Sequence, residues 1–64
     1  MKNNIRGLRK KLGYRQEDIA ITLGVTRQTI NAIENEKYSP TLELAMKLAN
    51  LLNTTVDELF ILDS

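Results

Sequence analysis

The stretch Gln16-Glu17-Asp18-Ile19-Ala20-Ile21-Thr22-Leu23-Gly24-Val25-Thr26-Arg27-Gln28-Thr29-Ile30-Asn31-Ala32-Ile33-Glu34-Asn35 holds two short helical patterns with almost nothing between them. In the first, Ile19, Ala20 and Leu23 recur at i, i+1 and i+4, one face of a helix running from about Gln16 to Leu23. Gly24 stands where a left-handed stop is expected. Arg15 occupies the position of a Ser, Thr or Asn cap, a loss that typically costs ~1 kcal/mol. Thr26 is suited to cap the second helix, which runs to about Asn35 and has Ile30 and Ile33 as its apolar contacts. Two anchors leave one whole face, with Arg27, Gln28, Thr29, Asn31, Ala32 and Glu34 lying elsewhere on the helix, to solvent or to a ligand.

A turn of Gly24, Val25 and Thr26 between two short helices is the helix-turn-helix signature. Ala20 is small enough for the helices to cross closely, and Val25 can plug the gap between them. Ile30 and Ile33 then fix the second helix of the pair and turn Arg27, Gln28 and Asn31 outward. Arginine can bond guanine through two N–H groups, and glutamine or asparagine can do the same with adenine. The N-terminal part of the second helix is what enters the major groove in this motif. Three polar residues on an exposed face mean little alone; with the turn they predict contact with base edges. Gln16, at the start of its helix beside free backbone N–H groups, suits a phosphate, although an ordinary polar first turn looks the same. Asn35, Lys37 and Tyr38 follow the reading helix and suit neighbouring phosphates. Lys10, Lys11 and Arg15 add charge on the other flank. Glu17, Glu34 and Glu36 count against a uniformly basic face, so the footprint must be local.

Outside this pair, Ile5, Leu8 and Leu12 mark a helix from about Asn4 to Leu12, ended by Gly13. After the break at Ser39-Pro40, Thr41 caps a helix with a broad stripe of Leu42, Ala45, Leu48, Ala49 and Leu52, and Asn53 suits its stop. Thr55 followed by Glu58 is a capping-box pattern, and Val56, Leu59 and Phe60 form the apolar side of the last helix. Only Phe60–Leu62 hints at an extended strand. The prediction is an all-α, five-helix domain over residues 1–64.

The 64 residues include no cysteine and no histidine, which removes disulfides, zinc sites and Cys or His nucleophile chemistry. No cofactor or metal motif is present, and no effector cavity is foreseen. The longest apolar run, Leu59–Leu62, is far too short to span a bilayer, and no apolar segment follows the N-terminal charges, so a cytoplasmic protein is expected. Net charge is only +1, but it is unevenly placed. Lys2, Arg6, Arg9, Lys10, Lys11 and Arg15 make a basic front, and Glu43, Asp57, Glu58 and Asp63 face Lys47 in an acidic rear. A basic first helix is equally what a solvated face looks like. The adjacent carboxylates Glu17 and Asp18 point different ways on a helix, and a chain this short has little room for a substrate cavity, so catalysis is not expected.

The run from Arg15-Gln16-Glu17-Asp18-Ile19-Ala20 through Gly24-Val25-Thr26-Arg27-Gln28-Thr29-Ile30 to Ile33-Glu34-Asn35 resembles the Cro/phage-repressor (XRE-type) helix-turn-helix family. Tyr38-Ser39-Pro40-Thr41-Leu42-Glu43-Leu44-Ala45 and Val56-Asp57-Glu58-Leu59-Phe60 fit its short stand-alone members. The resemblance implies a lambda-repressor-like domain that binds double-stranded DNA and regulates transcription, with repression of a palindromic operator as the expected mode. It implies that Arg27, Gln28, Thr29, Asn31 and Ala32 face the groove. Gln16 would touch phosphate and brace Gln28, and Thr26, Asn35, Lys37, Tyr38, Arg15 and Lys10 would complete the backbone contacts. The family often has a small hydroxyl or Asn at Arg15 and glycine at Glu36, so Glu36 is expected in a strained turn where it repels phosphate. A small core rarely supplies more than about 3–5 kcal/mol. Leu51, Val56, Phe60, Ile61 and Leu62 are therefore expected to join two copies, residues 56–64 contributing to the interface, and extended tails would allow an antiparallel pair between them. The alternative is an antitoxin or other protein-interaction module on the same fold.

Overall fold

The computed structural model describes residues 1–62. Five helices follow in order: α1 (Ile5–Lys11), α2 (Gln16–Leu23), α3 (Arg27–Glu34), α4 (Leu42–Leu51) and α5 (Val56–Leu59). Two-residue strands, β1 (Lys2–Asn3) and β2 (Phe60–Ile61), flank them. The helix starts follow the capping chemistry. Thr26, Thr41 and Thr55 each accept a hydrogen bond from the backbone N–H three residues on, at 3.1–3.2 Å. At α5 the Glu58 carboxylate accepts from the Thr55 hydroxyl at 3.0 Å. At α1 the capping oxygen is that of Asn3, which accepts from Ile5 N–H at 3.2 Å. The missing cap at Arg15 is made good from the other side: the Asp18 carboxylate accepts the Arg15 backbone N–H at 2.8 Å and its guanidinium at 3.1 Å.

Helices α1 to α4 share one ending. A left-handed residue follows each, at Gly13, Gly24, Glu36 and Asn53, with φ of 80°, 72°, 63° and 57°. In each case its N–H bonds back three residues, and the next N–H bonds back five, as Val25 does to the Ala20 carbonyl at 3.0 Å and Lys37 to Ala32 at 2.9 Å. The turn between α2 and α3 is short because Gly24 reverses the backbone in one residue.

The core takes at least one side chain from every helix: Ile5, Ile19, Ala20, Ile30, Ile33, Ala45, Leu48, Ala49, Leu52 and Leu59, joined by Phe60. Each fully buried Ile or Leu contributes roughly 1.5–3 kcal/mol. Two stripe residues behave otherwise. Leu12 is largely exposed because α1 has ended at Lys11, and Leu42 is 71 % exposed. Leu42 opens α4, where a side chain leans back over the helix start rather than onto the core.

Phe60 and Ile61 are extended, as the pattern of Phe60–Leu62 hinted, but their partner is the chain's own N-terminus; residues 63–64 of the expected interface lie outside the described residues. Lys2 lies opposite Ile61 and Asn3 opposite Phe60 in an antiparallel pair. Asn4 N–H continues it to the Leu59 carbonyl at 2.9 Å, and the Asn4 side-chain amide donates to the Glu58 carbonyl at 3.2 Å. This inner edge is therefore occupied within one chain, and Phe60 is 8 % exposed, part of the monomer's own core. Among the described residues no helix is long and apolar enough to cross a membrane.

Candidate nucleic-acid interface

Helix α3 is rooted by Ile30 and Ile33, both essentially inaccessible. On the opposite side Arg27, Gln28 and Asn31 are exposed, and Thr29 and Ala32 are half-buried at the margin. The Thr26 hydroxyl is engaged in the cap and lies 3.0 Å from the Thr29 hydroxyl. The leading end of α3 thus projects a guanidinium and two amides from a rigidly rooted helix.

The trailing end does the opposite. Glu34, expected on an open face, has a side chain of zero exposure. Ile30, Ile33 and Glu34 stand at i, i+3 and i+4, so the carboxylate shares the buried face. It is fully paired. Arg9, whose side chain is 11 % exposed, approaches with a fork, Nε to Oε2 at 2.7 Å and Nη2 to Oε1 at 3.1 Å. Arg6 Nε donates to Oε1 at 3.3 Å, and so does Gln16 Nε2 at 3.3 Å. Burial raises the Glu34 carboxyl, but the Arg9 hydrogen bonds, then Gln16, the Arg9 charge and Arg6 outweigh it and hold the group below the ordinary carboxylate value. Arg6 and Arg9, read from sequence as front charges, thus tie α1 to α3. The spacing of Glu34 from Ile30 was the signal that could have found this.

Gln16 is not held against Gln28. Its Oε1 accepts from Asn31 Nδ2 at 3.3 Å while its Nε2 serves Glu34. Among the described residues no side-chain hydrogen bond involves Gln28. Asn35, exposed, is also engaged within the fold: its Nδ2 donates to the Asn31 carbonyl at 2.9 Å, and its Oδ1 accepts from Arg6 at 3.0 Å. The Asn35 amide therefore stiffens the end of α3 rather than standing open. Lys37 and Tyr38 follow on the exposed loop, and Lys10 is exposed on α1. An open hollow at the start of α2 is lined by Arg9, Arg15, Gln16, Glu17 and Arg27. The Arg15 guanidinium there is tied to Asp18, whose carboxyl is lowered first by that side-chain hydrogen bond and then by the Arg15 backbone N–H. Glu36 sits in the left-handed turn as expected.

Comparison with known proteins agrees with this geometry. A helix-turn-helix family model matches residues 5–59. An HTH-type transcriptional regulator of Methanothermobacter thermautotrophicus is 48 % identical over 64 residues, covering 98 % of this chain and 93 % of that one. The HTH-type transcriptional regulator YgzD of Bacillus subtilis is 43 % identical over 63 residues, with 98 % and 96 % covered. Among solved structures, the restriction-modification controller protein C.AhdI of Aeromonas hydrophila superposes with a TM-score of 0.78 at 32 % identity, covering 88 % of this chain and 85 % of that one. The architecture and these likenesses together make the chain an XRE-type member of the helix-turn-helix family of transcriptional regulators.

Proposed function

We propose that this protein is a sequence-specific repressor that occupies a palindromic DNA operator as a homodimer in the cytoplasm. The observation that carries the reading is the division of α3: Ile30 and Ile33 are sealed in the core while Arg27, Gln28 and Asn31 stand in solvent. Arg27, Gln28 and Asn31 reach base edges, with Thr29 and Ala32 at the margin of the contact. Gln16, Arg15, Lys10, Lys37 and Tyr38 lie beside the phosphates, and the start of α2 offers its backbone N–H groups to one of them. Thr26 and Asn35 serve this contact indirectly, by holding the two ends of α3.

Dimerisation is supported by an apolar surface on Met1, α4 and the end of the described chain. Leu42, Met46, Met1, Ile61 and Leu62 are exposed, Leu62 by 78 %. Met1, Val56 and Phe60 line two adjoining hollows that reach Leu42 on one side and Ile61 and Leu62 on the other. A two-fold interface needs one self-complementary patch, and this is such a patch. It shifts the expected contact toward Met1 and Leu42, and away from Phe60 and Leu51, which are occupied in or against the chain's own core. The two reading helices of such a dimer lie about 34 Å apart and meet successive major grooves. The same apolar patch also suits a different protein chain, as in an antitoxin.

Selection of bound sequences from random duplexes tests the reading, repeated with Gln28→Ala. A palindromic consensus that loses discrimination at one base position per half-site, with nonspecific affinity retained, is expected. No binding to any duplex at low salt would overturn it. Sedimentation of the protein alone and with Leu62→Asp separates the surfaces: a wild-type dimer that the substitution turns monomeric supports self-association, and a wild-type monomer removes it.

A further inference from the structure

The side chains behind the reading face form a chain in which each hydrogen bond dictates the direction of the next. Glu34 begins it. An ionised carboxylate only accepts hydrogen bonds. Gln16 is therefore obliged to turn its Nε2 toward Glu34, as it does at 3.3 Å. That leaves the Gln16 Oε1, an acceptor, facing Asn31. Asn31 is in turn obliged to offer Nδ2, at 3.3 Å. The consequence falls at the surface: the Oδ1 of Asn31 and its second N–H are the groups left for a partner. Arg9 and Arg6 keep Glu34 ionised and fixed by donating to both of its oxygens.

We infer that Glu34 is a specificity-positioning residue, a buried carboxylate that sets through Gln16 which end of the Asn31 amide is presented to a base. The inference rests on Asn31 being a base-reading residue, as proposed above. With glutamine in place of Glu34 the Gln16 amide can turn over, because the new side chain can either accept from it or donate to it. Asn31 turns with it. A base that requires the original order of donor and acceptor then loses its advantage over one that requires the reverse. Asn31 accordingly reads its base with a polarity fixed by α1, although no residue of α1 touches that base.

The test is sequence selection on random duplexes with the intact protein and three variants, Asn31→Ala, Glu34→Gln and Gln16→Met. Asn31→Ala is expected to erase the preference at one base pair of each half-site. Glu34→Gln and Gln16→Met are expected to weaken that same preference by on the order of 10-fold, the size of one well-made two-bond base contact, while preferences elsewhere in the site hold. A purely structural role for Glu34 lowers affinity for all duplexes alike. An unchanged preference at the Asn31 position in folded Glu34→Gln or in Gln16→Met would overturn the inference. Gln16→Met leaves the Arg9–Glu34 pair intact, so it decides alone if Glu34→Gln does not fold. If Asn31→Ala alters no preference, the base-reading assignment of Asn31 is what has failed. The fixed polarity is then judged in the free protein by through-hydrogen-bond NMR couplings. Couplings from Gln16 Nε2 to the Glu34 carboxylate carbon uphold it, and their absence overturns it.

Discussion

The two sides of this small domain are held together by different physics. On the side of α2 and α3, a buried carboxylate collects Arg6, Arg9 and Gln16, and the resulting bonds have direction. On the side of α4, α5 and the strand pair, the side chains of Leu48, Leu52, Leu59 and Phe60 are held by apolar burial, and direction there comes mainly from the backbone bonds of the strand pair. Apolar packing is indifferent to small rotations of a side chain, whereas a forked ion pair is not. The directional side is the one that presents amides and a guanidinium to solvent, where donors must be distinguished from acceptors. The side with non-directional packing ends in an apolar patch, which needs only to exclude water. Each anchoring mode matches the precision that its surface demands.

The comparison breaks most visibly at Glu34. Glu34→Ala leaves Arg9 largely buried without a counter-ion, its guanidinium held only by the Tyr14 carbonyl at 3.1 Å, and removing one member of such a pair costs about 3–5 kcal/mol. That is roughly the whole stability available to a domain of this size. The expected outcome is a mostly unfolded protein at 25 °C by circular dichroism. Leu48→Ala, on the apolar side, is expected to cost a similar ~2–5 kcal/mol. What separates them is rescue. Replacing Arg9 and Glu34 together by methionine is expected to restore a cooperative urea transition, because the burial penalty of both charges disappears with them. No partner substitution restores Leu48→Ala in this way. A double variant no more stable than Glu34→Ala would show that the pair itself, rather than its desolvated charge, holds α1 to α3.

A smaller effect sharpens the same contrast through pH. The Glu34 carboxyl is held below its ordinary value of 4.5, so the native state binds its proton less readily than the unfolded chain. Its contribution is therefore complete above about pH 4.5 and is lost as pH falls through the lower native value. Asp18 acts in the same direction, more weakly because it is only half-buried and paired with the exposed Arg15 at the surface. Urea midpoints followed from pH 7 downward are expected to stay level and then fall in acid. The fall should be shallower in the double methionine variant than in the wild type. Identical acid profiles for the two would remove Glu34 as the source.

These outcomes bear on what the sequence can and cannot reveal. The helix boundaries were legible because their causes are local: Thr26, Thr41 and Thr55 cap within three residues, and Gly13, Gly24 and Asn53 stop a helix where they stand. The outward set Arg27, Gln28 and Asn31 was legible for the same reason, since Ile30 and Ile33 fix the rotation of a helix that contains all five. The support behind them was not. Glu34 meets Arg9 across 25 residues and Gln16 across 18, and periodicity carries no record of such pairings. The spacing of Glu34 from Ile30 puts the carboxylate on the buried face, but it does not say which cations meet it there. The strand pair escaped for a different reason. Two residues, Lys2 and Asn3, are too few to show alternation, and their pairing depends on the other end of the chain.

The least expected gain lies in the one helix ending that breaks the pattern of the other three. Gly13, Gly24, Glu36 and Asn53 take the same left-handed conformation, and the hydrogen bonds around them are the same. Glycine has no Cβ to resist that conformation, and asparagine tolerates it better than most residues. Glutamate has neither advantage, and its left-handed φ of 63° costs roughly 1–2 kcal/mol. Glycine at the same place recovers that cost but gives the unfolded chain more freedom, worth about 0.4–1 kcal/mol. The difference is a net gain of about 0.8 kcal/mol, a rise of roughly 3–6 °C in melting temperature for Glu36→Gly. Asn53→Gly, in the same turn on the apolar side, is expected to gain less. The two substitutions also differ in what they adjoin. Glu36 adjoins Lys37 and sets a negative charge just after α3, so its loss is expected to raise affinity for all duplexes alike, more at low salt than at high. A Glu36→Gly protein that is stabilised but binds DNA no better would place this turn away from the phosphates and shrink the footprint to the start of α2 and the exposed face of α3.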